Sequence, residues 1–283
     1  MLNRRELAIA SAALAIAPAW AKSNTFAALE TKGGGHLGVA ALDTGSGRGL
    51  NYRADERFPM CSTFKLLAVS DLLHRADEGR EHLDRWIKFG ERDLLECAPV
   101  TRAHVGQGGM TLGALAAAAA QWSDNTAANL LLAQLGGPAG VTAYVRTLGD
   151  SITRLDRTEP SANTCIPGDP RDTTSPAAML GDMRVLLLGH ALSAKARAQL
   201  VDWLVHYQTR MPRLAAGLPK NWKSGHKMGT GANGTANDLA IVWPPGRAPI
   251  LIAAYYTGSR LYPESRDAVL ADVGRTVARE FTR

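Results

Sequence analysis

The sequence predicts an α+β fold: an antiparallel sheet flanked by helices, formed by the N- and C-terminal segments, with an all-helical domain inserted between them. Three observations carry this expectation. Strand-like apolar runs lie near both ends of the 283-residue chain, at 36–43, 239–243 and 250–256. The stretch between them is helical in spacing or rich in alanine. The links joining neighbouring strands are of hairpin length, which suits antiparallel pairing and is too short for a parallel crossover.

Taken in order, the chain opens with Arg4 and Arg5 before the mostly apolar run 7–17, and Ala19-Trp20-Ala21 offers small residues where a signal peptidase cuts. Residues 1–21 therefore read as an export leader, with twin-arginine and Sec routes both open. The run is too short to span a bilayer as a helix, which takes about 20 apolar residues. The expectation is a periplasmic or secreted protein with no membrane contact once the leader is removed. Run 36–43 closes on Thr44-Gly45-Ser46-Gly47, a turn signal between two strands. Helices are expected at 62–73, 112–121, 126–135 and 179–188, with a helix stop at Gly136-Gly137-Pro138. Residues 150–176 hold Pro160, Pro167, Gly168, Pro170 and Pro176, which forbid long regular structure and predict a long surface loop. Strands 239–243 and 250–256 flank Pro244-Pro245-Gly246-Arg247, and 268–281 has a helical apolar period. The expected organisation is thus a leader at 1–21, a sheet domain of 22–60 and 206–283, and a helical domain of 61–205 that includes the 150–176 loop.

Composition narrows the function classes. With 46% hydrophobic and 20% charged residues, the chain is that of an ordinary globular protein rather than a disordered or fibrous one. The formal charge of +6 is scattered along the chain, which argues against a nucleic-acid groove and fits mild steering of small anions. Loss of the leader lowers that charge by one. The three cysteines, Cys61, Cys97 and Cys165, have neither Cys-x-x-Cys spacing nor a flanking histidine pattern, so neither a zinc site nor any other metal or cofactor is expected. In an oxidising compartment at least one thiol stays unpaired.

Ser62-Thr63-Phe64-Lys65 has the spacing of a serine nucleophile with a lysine one helical turn away. At a helix start Ser62 gains the positive end of the dipole, and Lys65 faces the same side. A serine hydroxyl needs such help, being almost wholly protonated at neutral pH. The motif alone is weak, because at about 6% for each residue a chain this long holds roughly one match by chance. Ser224-Gly225-His226-Lys227 is a second match, but it precedes glycine in a strand-like region. The first match gains weight from its company: Ser123-Asp124-Asn125 between two helical stretches, and Lys227-Met228-Gly229-Thr230 where a strand should run.

These three ordered motifs resemble those of the penicillin-recognising serine enzymes. The likeness sharpens to class A β-lactamases at Arg157-Thr158-Glu159-Pro160-Ser161-Ala162-Asn163, and extends through residues 123–131, 153–157 and 171–176. It covers the chain from about residue 25 to its C-terminus. The resemblance implies a monomeric hydrolase acting on small-molecule β-lactams through a serine acyl-enzyme. Ser62 would attack the lactam carbonyl, its proton accepted by Lys65 or, through a water, by Glu159, a choice the sequence leaves open. The backbone N–H groups of Ser62 and Thr230 would hold the oxyanion. Ser123, polarised by Lys65 and Lys227, would pass a proton to the ring nitrogen, and Asn125 would bind the substrate amide. Glu159 would activate the deacylating water held by Asn163, and Arg157 and Asp172 would close the loop that carries them.

Some positions depart from the family pattern. Met228 stands where threonine or serine is usual, removing a hydroxyl beside the substrate carboxylate; by resemblance to some class A carbapenemases, Thr230 and Arg213 would contact that carboxylate instead. Cys61 also matches those carbapenemases, in which it is bridged to a cysteine just past the Lys-Thr-Gly motif. The matching position here is Gly231, so that bridge is not expected. Cys97 replaces an aromatic residue at the cleft mouth, which predicts a more open entrance. Two rival readings share the motifs: a D-alanyl-D-alanine peptidase, and a penicillin-binding or sensor module that deacylates slowly. The Glu159 loop argues against both.

Overall fold

Burial on both faces organises the central sheet. In a computed structural model, which describes residues 20–22, 24–209 and 213–282, the elements run β1 (Trp20–Lys22), α1 (Asn24–Gly33), β2 (His36–Asp43), β3 (Gly49–Tyr52), β4 (Phe58–Pro59), a 3-10 turn at Cys61–Thr63 and α2 (Phe64–Asp77). The middle of the chain adds β5 (Trp86–Lys88), α3 (Pro99–His104), β6 (Gly109–Thr111), α4 (Leu112–Gln121), α5 (Asn125–Leu135), α6 (Gly137–Thr147), a 3-10 turn at Ser161–Asn163, β7 (Thr173–Thr174), α7 (Pro176–Leu187) and α8 (Ala194–Val205). The chain then returns to the sheet through α9 (Leu214–Gly217), β8 (Lys223–Gly231), β9 (Thr235–Trp243), β10 (Ile250–Thr257) and α10 (Pro263–Thr282).

The sheet order is β1-β3-β2-β10-β9-β8, and every pairing from β3 to β8 is antiparallel, as expected for an α+β fold. The short β1 departs from this by pairing parallel to β3. The expected leader, 1–21, lies outside the described residues except for Trp20 and Ala21 in that strand. No helix among the described residues is long and apolar enough to cross a membrane.

Along β10, Leu251, Ala253 and Tyr255 enter one core with α2, α4, α5 and α7, whereas Ile250, Ile252, Ala254 and Tyr256 enter a second with α1 and α10. β2 and β9 split in the same way. A one-residue slip would exchange the two sets, and each fully buried large apolar side chain is worth about 1.5–3 kcal/mol, so register is tightly specified. Gly136 ends α5 in the left-handed conformation (φ 90°), as the expected stop requires, but α6 starts at the next residue. Two short ladders, β4 with β7 and β5 with β6, supplement the helices of the middle segment. The first ladder anchors the end of the 150–176 loop beside the segment that enters Ser62.

Asp182 of α7 is only 2% exposed, and its Oδ2 meets no N–H or hydroxyl donor among the described residues, with the Asp150 carboxylate as its polar neighbour. Burial first, and the nearby Asp150 charge second, push its pKa up from 3.8 to about 9. Between those values the unfolded chain loses a proton that the folded chain keeps, so stability falls as pH rises through that window. Asp182→Asn should therefore melt roughly 3 °C or more above the wild type at pH 8, with the gap closing near pH 4 in a thermal-melt series. An equal gap at both values would show that Asp182 is ionised in the folded protein.

Candidate active site

Ser62 sits in the 3-10 turn that leads into α2, one residue after Cys61, whose backbone is left-handed (φ 46°). Non-glycine residues seldom adopt this conformation, so the turn is held by its surroundings. Asn237 of β9 donates from Nδ2 to the carbonyls of Pro59 and Met60 at 2.8 and 3.0 Å, and Met60 N–H donates to the Asp172 carbonyl at 2.9 Å. The nucleophile's turn is thus tied to the sheet on one side and to the proline-rich loop on the other.

Lys65, one turn along, is fully buried. Its Nζ lies 3.1 Å from Ser62 Oγ, 3.0 Å from Glu159 Oε1, 2.6 Å from Asn125 Oδ1 and 2.8 Å from the Ser123 carbonyl. Ser62 Oγ lies 3.4 Å from Glu159 Oε1, so serine, lysine and glutamate form a closed triangle. Ser123 also has a left-handed backbone (φ 57°). Its Oγ accepts from Lys227 Nζ at 3.0 Å and lies 3.5 Å from Lys65 Nζ. Lys227 is fully buried 4.9 Å from the centre of the Tyr207 ring, and burial first, then the Lys65 charge, hold its pKa well below the ordinary value for lysine.

Asp124 explains how the Ser-Asp-Asn stretch keeps its shape. Fully buried, it caps α5 through Ala127 N–H at 2.8 Å and accepts from Val100 and Thr101 N–H at 3.0 and 2.9 Å. Asn129, which lies outside the sequence motifs that mark the site, clamps the loop. Its amide accepts from Glu159 N–H and donates to the Glu159 carbonyl, both at 2.9 Å. Asn163 donates to Glu159 Oε2 from the following turn. Asp172 takes Arg157 Nε at 2.5 Å and the N–H groups of Asp156 and Arg157 at 2.7 and 2.9 Å, so the two ends of the loop meet.

On the sheet side, Thr230 and Met228 of β8 line the cleft with Ser62, Cys97, Trp122, Ser123, Asn125, Asn163, Tyr207 and Thr209 around a volume of about 250 Å³. Met228 is buried and Thr230 exposed at the rim. Arg213 is 2% exposed and lies behind Thr230. It donates to Thr230 Oγ1 at 2.8 Å and to the carbonyls of Gly229 and Asn237, with Asp267 Oδ1 2.7 Å from its Nε. Its charge therefore reaches the cleft through Thr230, and its partner Asp267 went unnoticed because 54 residues separate the two. Exposed Cys97 stands at the mouth, where Trp122, 44% exposed, still supplies an aromatic wall. The second Ser-x-x-Lys match is put to other use: Ser224 Oγ meets His226 Nε2 at 2.9 Å, and His226 Nδ1 meets Asp238 Oδ1 at 3.1 Å.

Comparison with known proteins agrees with this arrangement. Residues 21–281 match the model of the β-lactamase enzyme family. The β-lactamase CTX-M-8 of Citrobacter amalonaticus is 48% identical over 93% of this chain and 92% of its own. The β-lactamase AST-1 of Nocardia asteroides is 51% identical over 89% of this chain and 81% of its own. Among solved structures, an ancestral class A β-lactamase superposes with a TM-score of 0.90 at 57% identity, covering 92% of this chain and 99% of that one. The chain belongs to the β-lactamase enzyme family, in its class A group.

Proposed function

We propose that this enzyme opens β-lactam rings at Ser62 and releases the acyl product with Glu159, thereby conferring resistance to β-lactam antibiotics. The observation that carries the reading is the buried triangle of Ser62, Lys65 and Glu159 beside Ser123. Ser62 Oγ attacks the lactam carbonyl as its proton passes to Lys65 or, through a water, to Glu159; both bases lie within 3.5 Å of the hydroxyl. The N–H groups of Ser62 and Thr230 hold the oxyanion, where each such donor is worth about 3 kcal/mol. As the tetrahedral intermediate collapses, the C–N bond breaks and Ser123 gives its proton to the ring nitrogen, then takes back from Lys65, 3.5 Å away, the proton that Ser62 released. The two ammonium groups at its oxygen keep that hydroxyl polarised. Asn125, already fixed by Lys65, orients the substrate amide, and Thr230, backed by Arg213, faces the substrate carboxylate.

In the second half Glu159 takes a proton from a water, the water attacks the ester carbonyl, and Ser62 recovers its proton. Asn163 Oδ1 is buried without a hydrogen-bond partner among the described residues, and so offers an acceptor to that water. The Arg157–Asp172 closure and the Asn129 clamp keep Glu159 from wandering, since a small misplacement of a catalytic group costs orders of magnitude in rate. We assign the working protein to the periplasm or the exterior on the strength of the leader-like residues 1–21, and infer from the family likeness a monomer acting on small molecules.

With a chromogenic cephalosporin the wild type should turn over many substrates per protein molecule. Ser62→Ala should lower kcat by about 10³-fold or more. Glu159→Ala should slow deacylation by about 10²–10⁴-fold and leave a covalent adduct visible by mass spectrometry. A single stoichiometric burst from the wild type would instead make the protein a slowly deacylating binder. Met228→Thr restores a hydroxyl beside the substrate carboxylate and should raise kcat/KM for carboxylate-bearing substrates by about fivefold to tenfold, the worth of roughly one hydrogen bond. An unchanged kcat/KM would show that Thr230 already supplies that contact.

A further inference from the structure

Behind the nucleophile's turn, the sulfurs of Cys61 and Cys165 lie 3.3 Å apart. Cys61 is fully buried and Cys165 is 5% exposed, and both are free thiols. The backbone is left-handed at both residues (φ 46° and 47°). Two such unfavourable conformations in non-glycine residues are imposed by the surrounding structure, and they turn the two side chains toward each other. Gly231 completes the arrangement: a Cβ there would lie 2.6 Å from each sulfur, so the pair packs against bare backbone. The position that would carry the partner of Cys61 in the carbapenemase pattern is therefore closed, and Cys165 approaches from the loop side.

We propose that Cys61 and Cys165 form a disulfide that staples the Glu159 loop to the turn bearing Ser62, leaving Cys97 as the unpaired thiol. A disulfide sulfur pair sits about 2.05 Å apart, so bonding asks the two atoms to close by little more than 1 Å. The oxidant is a dialkyl disulfide. The Cys165 thiolate attacks one donor sulfur, the donor S–S bond breaks, and one donor thiolate leaves a mixed disulfide on Cys165. That thiolate takes the Cys61 proton, and Cys61 Sγ attacks Cys165 Sγ and expels the second donor thiolate. Two cysteine protons end on two donor thiols; the protein loses two electrons and the donor gains them.

The roles of the two thiols follow from their surroundings. Cys165 lines a cavity of about 370 Å³ with Arg157, Ile166, Pro167 and Asn233, which gives it the access that Cys61 lacks. The hydrogen bond from Cys61, with help from the Arg157 charge, holds its thiol below the ordinary range, whereas the same contact and burial push Cys61 up. The bond would close a loop of 104 residues. Asn129 already holds the catalytic stretch at Glu159, and Cys165, whose sulfur also touches the Asn163 carbonyl at 3.3 Å, would fix its other end.

The test compares the full-length protein after treatment with oxidised glutathione or with dithiothreitol, each sample then being alkylated in guanidinium and digested. The oxidised sample should contain a linked Cys61–Cys165 peptide, with Cys97 either alkylated or carrying glutathione, and should melt roughly 5–10 °C above the reduced sample. Cys165→Ser should fold, hydrolyse a cephalosporin at the rate of the reduced wild type, and show no melting difference between the two treatments. Three alkylated cysteines in the oxidised sample, a link through Cys97, or glutathione retained on Cys165 would overturn the pairing. A linked peptide without a higher melting temperature would overturn the stapling.

Discussion

The contact on which the rest of the site depends is that between the Lys65 ammonium and the oxygens around it. A fully buried cation is tolerated only where opposing charge and acceptors replace its water. Those acceptors come from separate parts of the chain: Ser62 from the turn before α2, Ser123 and Asn125 from the junction of α4 and α5, and Glu159 from the proline-rich loop. Satisfying one lysine thus draws the cleft walls together, and the same contacts place a nucleophile, a proton donor and a second base within reach of one bond. Lys227 adds a second buried cation on the far side of Ser123, and its lowered affinity for a proton reflects both burial and its neighbour.

A lysine that is satisfied only when three segments meet demands that those segments be rigid. Asp124 holds the Ser123 bend by saturating its carboxylate with N–H groups, Asn129 grips the Glu159 peptide on both sides, and Asp172 gathers the two ends of the loop. Left-handed conformations at Cys61, Ser123 and Asp172 show where backbone preference is overridden to aim side chains. The sheet supplies the foundation, because its two buried faces resist a register slip, and β8 presents Lys227, Met228 and Thr230 at one edge.

Much of this is legible in the amino-acid sequence. The apolar run of β2 and the alanine-rich α4 appear with the expected boundaries, since one has continuous burial and the other strong helix formers. Prolines spaced through 150–176 correctly announced a loop, and the motif residues Ser62, Lys65, Ser123, Asn125, Lys227 and Glu159 do converge. Helix α6 was hidden because it begins on the Gly137-Pro138 pair that reads as a helix stop, and α1 and α8 because few of their residues are buried among many polar ones. Asn129 and Asp267 act through folded proximity to residues 30 and 54 positions away, a relation with no local signature. The approach of Cys165 to Cys61 was hidden for another reason: it depends on left-handed backbone at two residues whose type gives no hint of it.

If one lysine organises both halves of the reaction, its removal must damage both. Single-turnover kinetics of Lys65→Ala, with acyl-enzyme formation and decay resolved by rapid quench and mass spectrometry, tests this most directly. The account predicts that acylation and deacylation each slow by about 10²-fold or more, because Ser62 loses its hydrogen-bond partner and Glu159 its counter-charge. Wild-type decay of a slowly formed acyl-enzyme would contradict it, and would confine the part of Lys65 to acylation.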